Sequence, residues 1–323
     1  MKTMILCEKD LLKAAELLRL GQVVAIPTET VYGLAANAFD YSAVKSIFKI
    51  KNRTAQNPLT IHVCSLEQVF DLVKDFTNIA RKLANEFWPG PLTMVLPKSN
   101  LVPSIVTAGS DFVAIRFPSN NLAKMLIKTI GFPVVASSAN ISGKPSSTKV
   151  PHVLNDFDGK IAAVLDGGEC CFGLESTIVF LDSNNQKILR QGVIKKEDIE
   201  KIIGKTVSNL YQNVKCKHYS TNAKLIIIPS NKSLYVDYVN SYADVSSSGA
   251  LCYDEDLEDL KIFSVSYGGE RDFVSQSRKI FSALRELDLH SNIKTIYARC
   301  DRESSSGAVF DRIHEACDKI QRL

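Results

Sequence analysis

The run Pro27-Thr28-Glu29-Thr30-Val31-Tyr32-Gly33-Leu34 and the cluster Lys51-Asn52-Arg53 hold the residues best suited to chemistry in this chain. An apolar strand over 23–26 stops at a proline and opens into a turn of hydroxyls, a carboxylate and a glycine. Open α/β sheets hold small ligands in such loops, at the carboxyl ends of strands. The helix that follows ends in lysine and arginine, which supply charge for a phosphate. The same character returns in Ser137-Ser138-Ala139-Asn140-Ile141-Ser142-Gly143 and in Gly173-Leu174-Glu175-Ser176-Thr177, while Arg116 and Arg190 each close a strand. Small residues let backbone N–H groups approach a ligand, hydroxyls bind oxyanions, and arginine binds them bidentately. Each feature also has a plainer reading. Lys45, Lys49, Lys51 and Arg53 suit a solvated helix end, His62 a satisfied core histidine, Arg116 a structural ion pair, and 137–143 a helix cap.

These residues need strands and helices to hold them. Leu11, Leu12, Ala15 and Leu18 make one helical stripe, which Gly21 stops. The spacing predicts a strand over 23–26, a helix over 42–50 with Val44, Ile47 and Phe48 inward, and a strand over 59–63. Ser65 with Gln68 reads as a capping box for a helix through 73. A helix over 79–88 must end at Trp88-Pro89-Gly90-Pro91. Strands are expected over 93–96, 113–116, 134–137, 162–165, 177–181 and 187–190, and helices over 121–130 and 196–203. Short polar turns such as Asp182-Ser183-Asn184-Asn185 suit antiparallel hairpins, whereas helical connections suit parallel pairs. The expectation is a mixed, twisted sheet flanked by helices. Residues 204–223 lack apolar periodicity and read as a linker. Beyond it come strands over 225–228, 251–253 and 295–298, a helix over 273–288, and a last helix over 307–321 with Val309, Ile313, Ala316 and Ile320 on one face. The fold class is α/β, with a domain over 1–205, a linker over 206–223 and a small α/β domain over 224–323.

At 323 residues the chain exceeds what one core usually fills. Hydrophobic residues at 45% and charged residues at 23% fit a soluble globular protein. A net charge of +4 does not require a nucleic-acid partner, though it leaves room for a local basic surface. The eight cysteines form no CxxC pair, and the five histidines lack metal-ligand spacing, so no structural zinc is expected. Scattered thiols, with Cys170-Cys171 poorly placed for a disulfide, suit a reducing cytosol. The apolar stretch over 4–7 is too short for a signal peptide, and no run approaches the ~18 apolar residues of a membrane span. A cytoplasmic protein is expected. The acidic run Asp254-Glu255-Asp256 with Glu258 and Asp259 reads as a solvated face. Neither a P-loop nor a nucleophile elbow occurs.

Seven motifs stand in order: PTETVYGLA (27–35), KIKNR (49–53) with NPLTIHV (57–63), WPGPLT (88–93), VAIRFP (113–118), SSANISG (137–143), GLESTIV (173–179) and LRQG (189–192). Together they resemble the threonylcarbamoyl-AMP synthase family, with its YrdC-like domain, nearly continuously over 10–200. Residues 210–323 resemble the linker and the small Rossmann-like C-terminal domain of the two-domain branch, mainly through Lys217-His218-Tyr219 and the helix at 281–288. The resemblance implies a nucleotidyltransferase that joins L-threonine, bicarbonate and ATP into L-threonylcarbamoyladenylate and pyrophosphate. It implies Mg²⁺ carried by ATP, and tRNA with tRNA-modifying proteins downstream. On the threonine side it implies Thr30, His62, Arg116, Ala136 and Ser176. On the ATP side it implies Lys51, Arg53, Asn57, Phe112, Ser138, Ser146 and Arg190, with Tyr219 of the linker folding over the nucleotide as part of a lid over 211–223.

Carbamate attack on the α-phosphorus needs positioning and charge neutralisation, so no covalent nucleophile and no protein-held metal are expected. Phe112 stands where relatives often carry threonine, so a ligand contact there would use its backbone. Ser146-Ser147-Thr148 has serine where proline is usual, and Asn213-Val214-Lys215-Cys216 replaces a Pro-Gly-Met-Lys-like start to the linker. The alternative function is a non-catalytic RNA-binding module. Such readers show aromatic platforms or a strong basic stripe, and 8% aromatic residues with +4 net charge supply neither.

Overall fold

The computed structural model describes residues 2–182, 185–204, 207–209 and 218–323. The chain divides into two compact units. One takes Met1–Ser142, Ser147–Cys171 and Glu175–Val214, the other Gly143–Ser146, Phe172–Leu174 and Lys215–Leu323.

Among the described residues the first unit is built on one eleven-stranded sheet. In chain order the strands are β1 (Met4–Leu6), β2 (Val24–Ile26), β3 (Gly33–Asn37), β4 (Thr60–His62), β5 (Leu92–Pro97), β6 (Phe112–Arg116), β7 (Val134–Ser138), β8 (Ala163–Leu165), β9 (Thr177–Asp182), β10 (Asn185–Arg190) and β11 (Ser208–Asn209). Across the sheet they run β1-β8-β2-β3-β7-β4-β6-β5-β9-β10-β11. The pairs β2/β3, β3/β7, β4/β7, β5/β6 and β9/β10 are antiparallel and the others parallel, which makes the sheet mixed, as expected.

The helices are α1 (Leu11–Arg19), α2 (Tyr41–Lys51), α3 (Leu66–Leu72), α4 (Asn78–Phe87), α5 (Ser104–Thr107), α6 (Asn121–Ile130), α7 (Val150–Phe157) and α8 (Lys196–Ile203). Their starts follow local chemistry. The Asp40 carboxylate accepts from the amides of Ser42 and Ala43 to open α2. Ser65 Oγ accepts from the Gln68 amide to open α3. The Gln68 side chain caps the Cys64 amide, one residue before the donor a standard capping box would use.

Period-two alternation sorts the central strands into two faces. Ile61, Met94, Ile115, Val135, Val179 and Ile188 point to one side and join a single buried core with Val44, Ile47 and Phe48 of α2. Each such side chain contributes roughly 1.5–3 kcal/mol by leaving water. On the opposite face, Leu17 and Leu18 of α1 pack with Leu126, Ile127 and Ile130 of α6 over Val24, Ile26, Ala35, Val134 and Ala136.

Three expectations need correction. β3 was not anticipated, because Gly-Leu-Ala-Ala-Asn carries weak strand propensity. It is nevertheless paired on both sides, and its first four residues are buried. β1, α5 and α7 were likewise unforeseen, being short or interrupted by proline. In the second unit the last helix stops at Ala316, and Ile320 lies half-exposed in a short strand instead of on the helix face.

Among its described residues the second unit is a five-stranded parallel sheet: β12 (Lys224–Ile228), β13 (Ser248–Cys252), β14 (Phe263–Ser266), β15 (Thr295–Arg299) and β16 (Lys319–Ile320), ordered β14-β13-β15-β12-β16. α9 (Lys232–Tyr242), α10 (Phe273–Leu289) and α11 (Gly307–Ala316) connect them, giving the Rossmann-like α/β class expected. The acidic run after β13 is not wholly solvated. Asp256 is fully buried and pairs with the buried Arg299 at 2.7 Å, and Arg299 also reaches Glu270 at 2.8 Å. An arginine at the end of β15 is the reason this carboxylate turns inward.

Candidate functional site

A cavity of about 170 Å³ opens in the first unit, on the sheet face beside the α1–α6 cover. Strand register assembles its floor. Gly33 pairs with Ser138, Thr60 with Ala136, His62 with Arg116, Arg116 with Thr93, Thr93 with Ile178, and Ile178 with Arg190. Registered partners share a face, so these residues from seven strands all line the cavity, and the apolar residues between them line the core. A one-residue slip in any strand would exchange the two sets. Gly33 suits the close approach of its neighbour: a Cβ there would meet the Ala136 Cβ at 3.3 Å, tighter than ordinary contact.

The loop between β2 and β3 forms one wall. Thr28 is its hub: its hydroxyl contacts Thr30 Oγ1 at 2.8 Å, donates to the Val31 carbonyl, and accepts from the amides of Thr30 and Val31. Thr28, Val31 and Tyr32 line the cavity, while Thr30 is fully buried and lies outside the lining. The Tyr32 hydroxyl donates to the Gly168 carbonyl and accepts from the Gly167 amide, fixing the loop to the chain after β8.

At one end Arg116 and Glu29 form an ion pair at 2.8 Å, with each side chain about 95% buried. Burial raises the Glu29 carboxyl, but the Arg116 guanidinium, helped by the backbone amides of Glu29 and Ser119, more than offsets it and holds the group below the usual carboxylate range. His62, buried and beside the same guanidinium, is pushed down to about 3 and is neutral at pH 7. Thr93 and Ser176 hydroxyls meet at 2.7 Å on the adjoining wall.

At the other end Arg190 donates to the Ser176 carbonyl and hydroxyl, and Arg53 donates to the carbonyls of Asn57 and Pro58. Burial lowers the Arg53 pKa, and the nearby Arg190 lowers it further. Two guanidiniums that repel one another across a cavity favour an anion between them. Lys51 is fully buried behind this end, with its ammonium on the Ser138 carbonyl. Burial, reinforced by Arg53, pushes it down to about 7.

The structure therefore gathers His62, Arg116, Ala136 and Ser176 with Arg53, Ser138 and Arg190 in one lining. Thr30, Lys51, Asn57 and Phe112 lie outside it. Asn57 contributes a carbonyl to Arg53, and the Phe112 ring packs on Phe180 at 4.7 Å. Ser146 and Tyr219 belong to the second unit, where Tyr219 packs on Phe281 at 5.0 Å. Lys217 and most of the supposed lid lie outside the described residues. The sequence does not single out Glu29, Thr93, Ser137 and Glu175 for the site; of these only Thr93 is the lone polar residue of its motif, WPGPLT, and could have been flagged on that ground.

Comparison with known proteins agrees with this geometry. Residues 16–192 match the Sua5/YciO/YrdC family, described as telomere recombination, and residues 194–317 match the threonylcarbamoyl-AMP synthase C-terminal domain. The threonylcarbamoyl-AMP synthase of Pyrococcus abyssi is 41% identical, over 94% of this chain and 92% of its own. That of Bacillus subtilis is 36% identical, over 96% and 93%. The crystal structure of P. abyssi Sua5 complexed with L-threonine superposes with a TM-score of 0.88 at 37% identity, covering 99% of this chain and all of that one. These relatives support the synthase reading over the RNA-binding alternative. By sequence and by fold, the chain belongs to the threonylcarbamoyl-AMP synthase family.

Proposed function

We propose that the cavity of this synthase holds L-threonine at the Arg116–His62 end and the ATP phosphates at the Arg53–Arg190 end. There it forms threonylcarbamoyl-AMP and pyrophosphate from threonine, bicarbonate and ATP. The observation that carries this reading is the register-built row from Ser138 to Arg190, with a charge-compensated arginine at one end and two converging arginines at the other. That the P. abyssi relative is complexed with L-threonine supports threonine as a ligand.

The chemistry runs in two steps. The threonine amine and bicarbonate condense to a carbamate with loss of water. A carbamate oxygen then bonds to the α-phosphorus as the bond to pyrophosphate breaks. Holding both partners at short range replaces the entropy of a bimolecular encounter. Arg53 and Arg190 neutralise charge on the departing pyrophosphate, and Arg116 orients the threonine carboxylate. His62, being neutral, serves as a hydrogen-bonding group and leaves the charge balance unchanged.

Among the described residues no group of three or more histidines, cysteines or acids could hold a metal. Mg²⁺ fits all the same, because it typically keeps several waters and takes one or two carboxylates plus substrate phosphates. Glu175 is the carboxylate in the lining that would meet it. The metal would supply further neutralisation of the phosphates. The adenylate would pass to tRNA through tRNA-modifying proteins. The thiols at Cys7, Cys64, Cys170, Cys171, Cys252 and Cys300, outside any disulfide, support work in the cytoplasm. Among the described residues no helix is long and apolar enough to cross a membrane.

The test is pyrophosphate release with each substrate omitted in turn. The reading requires ATP, L-threonine and bicarbonate together; release that ignores threonine would overturn it.

A further inference from the structure

We propose that Glu29 is a specificity-determining residue: by compensating Arg116 from behind the cavity wall, it makes the recess select a zwitterionic amino acid over a simple carboxylic acid. The inference rests on the threonine reading of the cavity given above.

Arg116 lines the cavity and Glu29 does not, so Glu29 acts through its neighbour. The two are joined by one bond, Arg116 Nη2 to Glu29 Oε1 at 2.8 Å. Arg116 Nε and Glu29 Oε2 are both buried with no hydrogen-bond partner. Arginine and carboxylate frequently make two parallel bonds, and an unmet buried donor or acceptor needs an explanation. The pair is complete in charge and incomplete in hydrogen bonding. On the arginine, which lines the cavity, the Nε donor is left over at the wall of a site built to receive something polar.

Charge counting then decides what that something is. His62 is neutral, and burial pushes the Cys170 thiol, which lies near this pair, up to about 12, so neither adds charge near pH 7. The Tyr32 hydroxyl is raised as well by burial and stays protonated. Arg116 and Glu29 cancel, so this end of the cavity is neutral, while Glu175, Arg53 and Arg190 of the same lining act toward the Lys51 end. A lone carboxylate entering it would leave one uncompensated buried negative charge, which is costly. An α-amino acid brings its own ammonium, which the field of Glu29 favours. Without Glu29 the recess would carry one positive charge and would prefer the lone anion.

The experiment is titration calorimetry on the full chain with L-threonine and with β-hydroxybutyrate, which is threonine without its amino group. ATP binding and melting temperature serve as controls for folding. The native chain should bind threonine at least about 10-fold more tightly than β-hydroxybutyrate, the scale of one charge-assisted contact. Glu29→Gln should weaken threonine and strengthen β-hydroxybutyrate, lowering the ratio about 10-fold or more, while Glu29→Asp, which keeps the charge, retains most of it. Equal weakening of both ligands in Glu29→Gln, or an Asp variant as indiscriminate as the Gln variant, would overturn the proposal.

The native chain provides a second measurement that needs no variant. Threoninamide carries a net positive charge and β-hydroxybutyrate a net negative one. A neutral recess should bind each at least about 10-fold more weakly than threonine. β-Hydroxybutyrate binding as tightly as threonine would overturn the role of Glu29. A native chain that binds ATP but no threonine would instead overturn the threonine reading itself.

Discussion

Removing the Arg116 guanidinium should destabilise the first unit in a way that depends on pH, because it strands Glu29. Arg116→Ala leaves a carboxylate about 95% buried whose 2.8 Å partner is gone. Breaking a buried pair from one side typically costs ~3–5 kcal/mol. The carboxyl can limit that cost by taking a proton. In the native chain its folded pKa is depressed, so its contribution to stability is present above the unfolded value of about 4.5 and is lost as pH falls through the lower folded value. In Arg116→Ala burial acts without opposition and the folded pKa rises above the unfolded one. Stability is then fuller at low pH and is lost as pH rises through the raised value.

The difference between native and variant should therefore be largest near pH 8 and shrink toward pH 5. Trp88, the chain's one tryptophan, lies in the first unit, so urea unfolding followed by its fluorescence reports the relevant transition. The double variant Glu29→Gln, Arg116→Ala carries no stranded charge and should recover much of the loss at pH 8, giving a coupling of ~1 kcal/mol or more in a double-mutant cycle. A loss independent of pH, with no recovery in the double variant, would refute the reasoning.

Three further outcomes follow from the same geometry. Arg53→Ala should weaken ATP about 10- to 150-fold, for loss of one buried charge-assisted bond worth ~1.5–3 kcal/mol, and should leave threonine affinity nearly unchanged by calorimetry. His62, at about 3 when folded against an ordinary 6.5, should cost stability progressively as pH falls through that window, since the unfolded chain gains a proton that the folded one refuses; denaturant titrations should show a shallower acid slope in His62→Asn. Lys51, at about 7 when folded, should take up a proton when phosphates arrive, so ATP binding near pH 8 should show net proton uptake in buffers of differing ionisation heat, lost in Lys51→Met.

What the sequence made legible, and what it hid, follows from how each feature is encoded. Strands such as Thr60-Ile61-His62 and the helix stripe Val44, Ile47, Phe48 announce themselves by period, and the structure places them where that period requires. β3 was hidden because its residues are small and weak in strand propensity, Gly33 lying close to Ala136 and Ala35 and Ala36 fully buried. His62, Arg116 and Arg190 stood out as polar ends of apolar strands. Glu29 and Thr93 did not, because their partners, Arg116 and Ser176, lie more than eighty residues away and only the folded sheet and its loops bring them together. For the same reason Asp256 looked like one more exposed acid until β15 delivered Arg299 beside it.

The central claim is that one cavity joins three substrates into one adenylate. Incubation of the chain with ATP, L-threonine, Mg²⁺ and isotopically labelled bicarbonate, followed by rapid mass spectrometry, tests it most directly. The account requires one labelled carbon in a product whose mass is that of AMP joined to N-carboxythreonine, formed in step with pyrophosphate. An adenylate without the label, or threonyl-adenylate formed with no need for bicarbonate, would contradict it.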